Sequence, residues 1–423
     1  MKILIINHRY FVSGGPERYL FNLKELLEQN KHVVIPFSVR YTQNEKSEYE
    51  KYFVPPVSNE NEVYFKDQTW NPKSFFKTIE RLFYSREVYQ YLSTLLKDEK
   101  PDFAIVLHYS RKLSPSVVEA LKDYNIPFVV RVSDFGMVCP NNMLIRENKI
   151  CEKCISGNLW NSVRYKCVKN SYGASLIQYL AAQFHYLKGY YETIPLFLVP
   201  SKFTMEKLIQ AGWDENKLIH FPTFVKDEIF LNGNEKKGKI VYIGRLDEEK
   251  GVLFFLHTIK LLQDKERNNE EIQYVIVGSG TPEFEKSLKE YSESNNLKNV
   301  LFLGKLSKPE IDKLIQESLL MVAPSLWYDN MPNSVLEALS MGLPVIASNH
   351  GSFPEIIEHY KTGLLFKAGD KKDFADKITL LLKDETLRNE ISTNAKQFIE
   401  KKHSPKKHYE TLMNICNKYF NLQ

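Results

Sequence analysis

The sequence predicts an α/β protein built from two doubly wound parallel-sheet domains. Short continuous apolar runs alternate with stretches of helical period: KILIIN at 2–7, VVIPF at 33–37, FAIVL at 103–107, KIVYI at 239–243 and YVIV at 274–277. Glycines stand where such runs end, at Gly14-Gly15, Gly244 and Gly278-Ser279-Gly280. The alternation also stops and restarts, with a linker-like segment at 222–239 whose most loop-like run is NGNEKKG at 232–238. These observations place one unit at 1–225 and a second at 238–403, with a final helix at about 404–423 left to pack back on the first.

Length and composition are compatible with that division. The chain has 423 residues, 43% of them hydrophobic, enough for two cores. A formal charge of +5 suits anionic ligands or an anionic membrane surface. It is too small, and too free of Lys/Arg blocks interleaved with aromatics, to indicate nucleic acid. The start, MKILIINHRYF, reads as a core strand and not a signal peptide, so a cytoplasmic location with reduced thiols is expected. The longest run without acids or Lys/Arg, 170–187, contains Gln178, Gln183 and His185 and is too polar to span a bilayer.

In the first unit, the strand at 2–7 is followed by Gly14-Gly15-Pro16-Glu17 and a helix to about Gln29, with Pro16 suited to its first turn. Two glycines there let backbone amides approach a phosphate or a sugar, although a plain tight turn uses the same residues. The polar and aromatic stretch 41–100 reads as helices and loops inserted at one edge. A strand over 101–107 delivers His108 at its carboxyl end. Ser114 caps a helix to about Asn125, and a strand over 127–132 delivers Ser133 and Asp134. His108 and Asp134 are candidate walls of an acceptor site, with a surface histidine the simpler reading of the first.

Cys139, Cys151, Cys154 and Cys167 follow, within a segment of low apolar content. Four cysteines including one C-x2-C resemble a four-thiolate zinc knuckle, in which a metal supplies the order that a missing core cannot. Plain buried thiols are the alternative, and a redox pair is weaker, for no thioredoxin-like context surrounds it. The helix from about Leu176 to Tyr191 is crowded with aromatic and aliphatic residues. It is either a core helix or a face that touches lipid or a partner.

In the second unit, Arg245 and Lys250 fall in a strand-to-helix loop at the ligand end of the sheet. A guanidinium and an ammonium there would neutralise a departing diphosphate; a solvated loop with a local ion pair is the alternative. PSLWYDNMPNSVLEALSMGLPVIAS, at 324–348, reads as strand end, loop, helix from about Ser334, Gly342 stop and strand. Asp329 and Glu337 lie on either side of the helix N-terminus, which attracts anions, and Asn333, Ser334 and Val335 form its first turn. Ser334-x-x-Glu337 also fits a capping box, in which the Glu only closes the helix.

Taken in order, GGPERY, YIGRLDEEKGV, VGSGTPE, the 324–348 stretch, HGSFPEII and TGLLFKAGD make the chain resemble a family 4 retaining glycosyltransferase of the GT-B fold, in the group 1 glycosyltransferases. That resemblance covers nearly the whole chain. It implies two facing Rossmann-like domains with a cleft between them, the first binding a glycan or lipid-linked acceptor and the second a UDP- or GDP-linked sugar. It implies that Arg245 and Lys250 contact the diphosphate, that Glu337 binds the ribose, and that Asp329 lies near the donor sugar. Asp329 is one methylene shorter than the family's usual Glu, Asn330-Met331-Pro332 replaces a frequent Gly-Phe-Gly, and Ser133-Asp134 stands where many members have His-Asp.

No D-x-D triplet occurs, which fits a transferase needing no metal for chemistry. Some members share the Cys-Pro and C-x2-C insertion, supporting one structural zinc. The other readings are a non-hydrolysing sugar-nucleotide epimerase and a zinc-containing interaction protein without catalysis. Partners expected are a nucleotide sugar, an acceptor in bacterial-type surface polysaccharide or glycoconjugate synthesis, and a possible peripheral contact with the inner face of a membrane.

Overall fold

The computed structural model describes residues 1–59, 71–226, 238–265 and 272–422; most of the expected linker run at 232–238 falls outside them. The first sheet comprises β1 (Lys2–Asn7), β2 (Val33–Phe37), β3 (Phe103–His108) and β4 (Phe128–Arg131). After the small antiparallel hairpin β5 (Ile145–Arg146) and β6 (Lys149–Ile150), β7 (Phe197–Val199) and β8 (Leu218–His220) complete it. The second sheet comprises β9 (Lys239–Ile243), β10 (Gln273–Val277), β11 (Val300–Gly304), β12 (Leu320–Ala323), β13 (Val345–Ser348) and β14 (Leu364–Phe366).

Both sheets are six-stranded and parallel throughout, in the orders β2-β1-β3-β4-β7-β8 and β11-β10-β9-β12-β13-β14. This is the pair of Rossmann-like domains of the GT-B class. Helices cover both faces of each sheet, which is why the central strands are apolar on both sides: Ile3 to Ile6 and Leu320 to Val322 are each at most 1% exposed. The strand order reverses between β1 and β3 in one sheet and between β9 and β12 in the other. Loops leaving the carboxyl ends of these strand pairs diverge and open a crevice.

Some local expectations shift. Pro115, not Ser114, is the residue before the helix Ser116–Asp123; the Ser114 hydroxyl accepts from the amides of Ser116 (3.2 Å) and Ser85 (2.9 Å) and so ties two helix starts together. Among the described residues, the 41–100 stretch contributes the α-helices Pro72–Phe83 and Arg86–Glu99 and a short 3-10 turn at Glu50–Tyr52. Two helices end the chain, Glu385–His403 and Pro405–Phe420. The last lies on the first sheet's helical layer, where Leu412, Ile415 and Cys416 share a core with Tyr19, Leu23 and Phe103. The Tyr19 hydroxyl meets His408 Nε2 at 2.9 Å, and His32 Nε2 meets the Tyr409 hydroxyl at 2.9 Å.

Candidate active site

The two crevices face one another and merge into one cleft of about 1910 Å³. On the second domain its wall is built by the loops after β9 and β12. Gly251, with φ +74°, ends the first of these; a Cβ there would sit 1.9 Å from the Pro324 carbonyl oxygen, so only glycine lets the two loops touch. That contact sets Lys250 beside Asp329, and the two form an ion pair with both side chains largely buried. Asp329 also accepts from the Ser325 hydroxyl at 2.5 Å. The HGSFP segment passes beneath: the Ser352 amide donates to the Asp329 carbonyl (3.1 Å), and His350 Nε2 lies 2.8 Å from the Ser325 carbonyl. Arg245 is half exposed and pairs with Asp247, while its carbonyl accepts from the buried Tyr242 hydroxyl (2.6 Å).

Gly278 and Gly280, expected from the sequence to bind substrate, also meet a packing requirement. Cβ atoms at Gly278 and Gly280 would lie 1.8 Å and 2.0 Å from the carbonyl oxygens of Gly244 and Leu246. These glycines let the arginine-bearing loop cross the end of β10. Gly278 still lines the cleft, and Gly280 does not.

The helix after β12 runs Asn333–Ser340, with Pro332 as its N-cap and no side-chain cap. Glu337 is therefore its fifth residue, outside the N3 position that a capping box requires, and the capping expectation fails. The reason is local: the extended Pro332 places its carbonyl to accept from the amides of Val335 and Leu336, both at 3.2 Å, and the helix starts two residues earlier than Ser334 capping would allow. Glu337 is instead gripped across the cleft. Arg18, on the helix Gly15–Gln29 of the first domain, donates to its two carboxylate oxygens at 2.7 and 2.9 Å, and Lys308 stands 3.7 Å away. Arg18 lines the cleft and Glu337 lies behind it. Asn333 Nδ2 adds a second bridge, donating to the Gly15 carbonyl at 3.0 Å.

The first-domain wall gathers the loop after β1, the end of β3 and the segment after β4. Glu17 is buried and accepts from the Ser13 hydroxyl (2.9 Å), which in turn accepts from Arg9 (2.9 Å). His8 and His108 rings lie 4.6 Å apart. Burial holds the pKa of both below the usual histidine value; for His108 the negative charge of Asp134 pulls the other way. Asp134 accepts from the Gly136 amide (2.8 Å) and from Asn142 Nδ2 (3.0 Å). His108, Asp134, Gly14, Gly15 and Glu17 thus face Arg245, Lys250, Asp329, Asn333, Ser334 and Val335 in one cleft. Arg18, His8 and Arg9 were not singled out in the sequence. The only signal for Arg18 was its place beside Glu17 in GGPERY.

Further links close the domains on each other. Asn330 Oδ1 accepts from Thr204 (2.7 Å) and Ser201 (3.2 Å), and its amide donates to the Val132 carbonyl (3.1 Å). Glu355 accepts from the amides of Lys202 (2.8 Å) and Phe203 (2.7 Å), at the start of a first-domain helix.

Burial, and to a lesser degree the charge of neighbouring cysteines, raises the thiol pKa of Cys139, Cys154 and Cys167, Cys154 to about 12. The soft donor set suits zinc. As arranged, however, no group of three or more His, Cys, Asp or Glu among the described residues is placed to hold a metal ion, and the Cys139 thiol is directed at Asn141 Oδ1 (2.9 Å).

Two switch-point crevices facing across a cleft define the GT-B class of fold. Residues 226–398, essentially the second domain, match the family Glycosyl transferases group 1. The chain is 30% identical over 217 residues to the N,N'-diacetylbacillosaminyl-diphospho-undecaprenol alpha-1,3-N-acetylgalactosaminyltransferase of Campylobacter jejuni, covering 48% of this chain and 54% of that protein. It spans about half the length of the curated relatives that it matches first. The fold is similar over 99% of both chains to sucrose-phosphate synthase from Thermosynechococcus elongatus (TM-score 0.70, 16% identity). It is also similar to an Anabaena protein in complex with UDP and glucose (TM-score 0.64, 15% identity, 98% of both chains).

Proposed function

We propose that this protein is a retaining glycosyltransferase of family 4, moving a sugar from a UDP- or GDP-linked donor to a glycan or lipid-linked acceptor in surface polysaccharide or glycoconjugate synthesis. The observation that carries the reading is the opposition of Lys250, Asp329 and Arg245 to His108, Asp134 and Glu17 across one cleft. Cations and a helix N-terminus on one side suit a diphosphate. Buried Glu17, part-buried Asp134 and the histidines on the other suit sugar hydroxyls.

In this reading the diphosphate lies against the first turn of the helix Asn333–Ser340, with Lys250 and Arg245 drawn from their carboxylate partners to its oxygens. Asp329, held by Ser325, orients the donor sugar. Glu337 takes the ribose hydroxyls once Arg18 yields one of the two carboxylate oxygens it holds. His108, kept neutral by burial, accepts a hydrogen bond from the acceptor hydroxyl, and the departing phosphate takes the proton on the face that it leaves. No step calls for a divalent cation, since Lys250 and Arg245 supply the countercharge; chelation with EDTA is expected to leave initial rates intact, and a loss restored by Mg²⁺ would overturn this part. A screen of UDP- and GDP-sugars for nucleotide release tests the reading as a whole. Release with one donor, accelerated by an acceptor, is the expected result; epimer formation without release would assign the cleft to other chemistry.

A further inference from the structure

Trp327, Tyr328 and Asp329 follow one another in the loop after β12, and their side chains point different ways. Trp327 and Asp329 line the cleft, and Tyr328 does not. Tyr328 crosses instead to the first domain and packs against its core. Its ring meets that of Phe203, at the start of the helix Lys202–Gln210, at 4.5 Å. Lys207 of the same helix brings its ammonium to 5.9 Å from the Tyr328 ring and 5.4 Å from the Phe203 ring.

The Lys207 side chain is only 13% exposed, and a charge so enclosed needs a counter-ion. Glu152 supplies it at 2.8 Å, and Gln210 Oε1 accepts from the same ammonium at 3.2 Å. Burial, and then a hydrogen bond to the Glu152 carboxylate, pushes the pKa of the Tyr328 phenol up. Glu152 stands between Cys151 and Cys154, so what orders these two thiols orders the carboxylate. The insertion takes a second hold through the turn of its hairpin, where Asn148 Nδ2 donates to Glu248 in the loop of Arg245 and Lys250. The two loops of the second domain are themselves joined, the Leu326 amide donating to the Glu249 carbonyl at 2.8 Å.

Building on the donor-sugar role given above to Asp329, we propose that Glu152 is a positioning residue for it. Through Lys207 and Tyr328, Glu152 seats the loop that carries Asp329, so the Cys-rich insertion of the first domain sets sugar binding in the second. Neither Glu152 nor Tyr328 lines the cleft, and both therefore act on the donor only through their neighbours.

Hydrogen–deuterium exchange of the full chain, with no ligand present, reads the seating directly. In Glu152→Ala the amides of 325–329 should exchange faster by about two- to tenfold, the loss of a hydrogen bond, while β12 stays protected as in wild type. The KM for whichever UDP- or GDP-sugar releases nucleotide should rise by a similar factor. Tyr328→Phe keeps the ring and loses only the hydroxyl; it should move both readouts the same way, and the double variant should fall short of the product of the two effects. Glu152→Gln, which can still accept from both partners, should stand nearer to wild type than Glu152→Ala. Unchanged exchange, an unchanged donor KM, effects that multiply, or protection lost throughout both sheets would each overturn the proposal. Exchange needs no donor: a wild type that releases no nucleotide would count against the transfer reading, and the exchange result would then decide the seating by itself.

Discussion

Glu337 is the residue whose neighbours changed its meaning. In the sequence it stood three positions after a serine, where the motif alone favours a cap and only the rest of the chain favours a ligand. In the fold it answers to Arg18, 319 positions away, and no periodicity or local motif announces a pair at that separation. Glu337→Gln is expected to weaken donor binding by more than it lowers the melting temperature, since the loss of the Arg18 ion pair falls on both. Arg18 and Glu337 should couple: a double-mutant cycle on donor affinity is expected to give an interaction energy of about 0.5–3 kcal/mol, and strict additivity would disprove a shared role. Lys250 and Asp329, by contrast, were legible from position alone, since each is fixed by a loop of known place at a strand end. Lys250→Ala should cost about 2.7–4 kcal/mol in the transition state, read as kcat/KM. Turnover within a few-fold of wild type would remove Lys250 from the chemistry.

At the scale of elements, the strands and most helices were legible because continuous apolar runs and helical period are strong, short-range signals. The hairpin β5–β6 was not; its turn relies on Glu147 and Asn148 at φ +50° and +56°, a conformation that composition does not reveal. The Cys-rich segment was legible as four cysteines close in sequence, but among the described residues no three of them are placed to hold a metal ion. We propose that a zinc ion, when bound, draws the thiols in. Elemental analysis of reduced protein purified without chelators is expected to give about one zinc per chain; well under one leaves plain thiols. The final helix was expected to need a partner, and it has Tyr19, His32 and Phe103. Leu412 is fully buried there, so Leu412→Ala should destabilise the protein by about 2–5 kcal/mol in chemical denaturation.

For the whole molecule, burial lowers the pKa of all ten histidines, although they are spread over both domains. His220 is brought to about 4, chiefly by burial and then by Lys202 and His403. A lowered folded-state pKa means that the unfolded chain binds more protons between that value and about 6.5. Stability is thus complete above about pH 6.5 and declines as pH falls towards 4. Melting temperature should drop between pH 7 and pH 5, and a flat profile would contradict the burial of these rings. The facing of the two domains could not be read from local pattern, since it depends on contacts such as Asn330 with Thr204 that join distant segments.

The chain leaves the first domain after Val225 and comes back at His403, and these two points are bonded to each other: the Val225 amide donates to the His403 carbonyl (2.9 Å), and His403 Nδ1 meets the Thr223 carbonyl (2.8 Å). Two crossings pinned side by side do not behave as a tether. They suppress translation and twist of one lobe against the other and leave mainly a swing about the pin, like a book on its spine. On the proposed function, donor and acceptor would enter along the edge farthest from the pin, where the loops travel farthest for each degree of rotation.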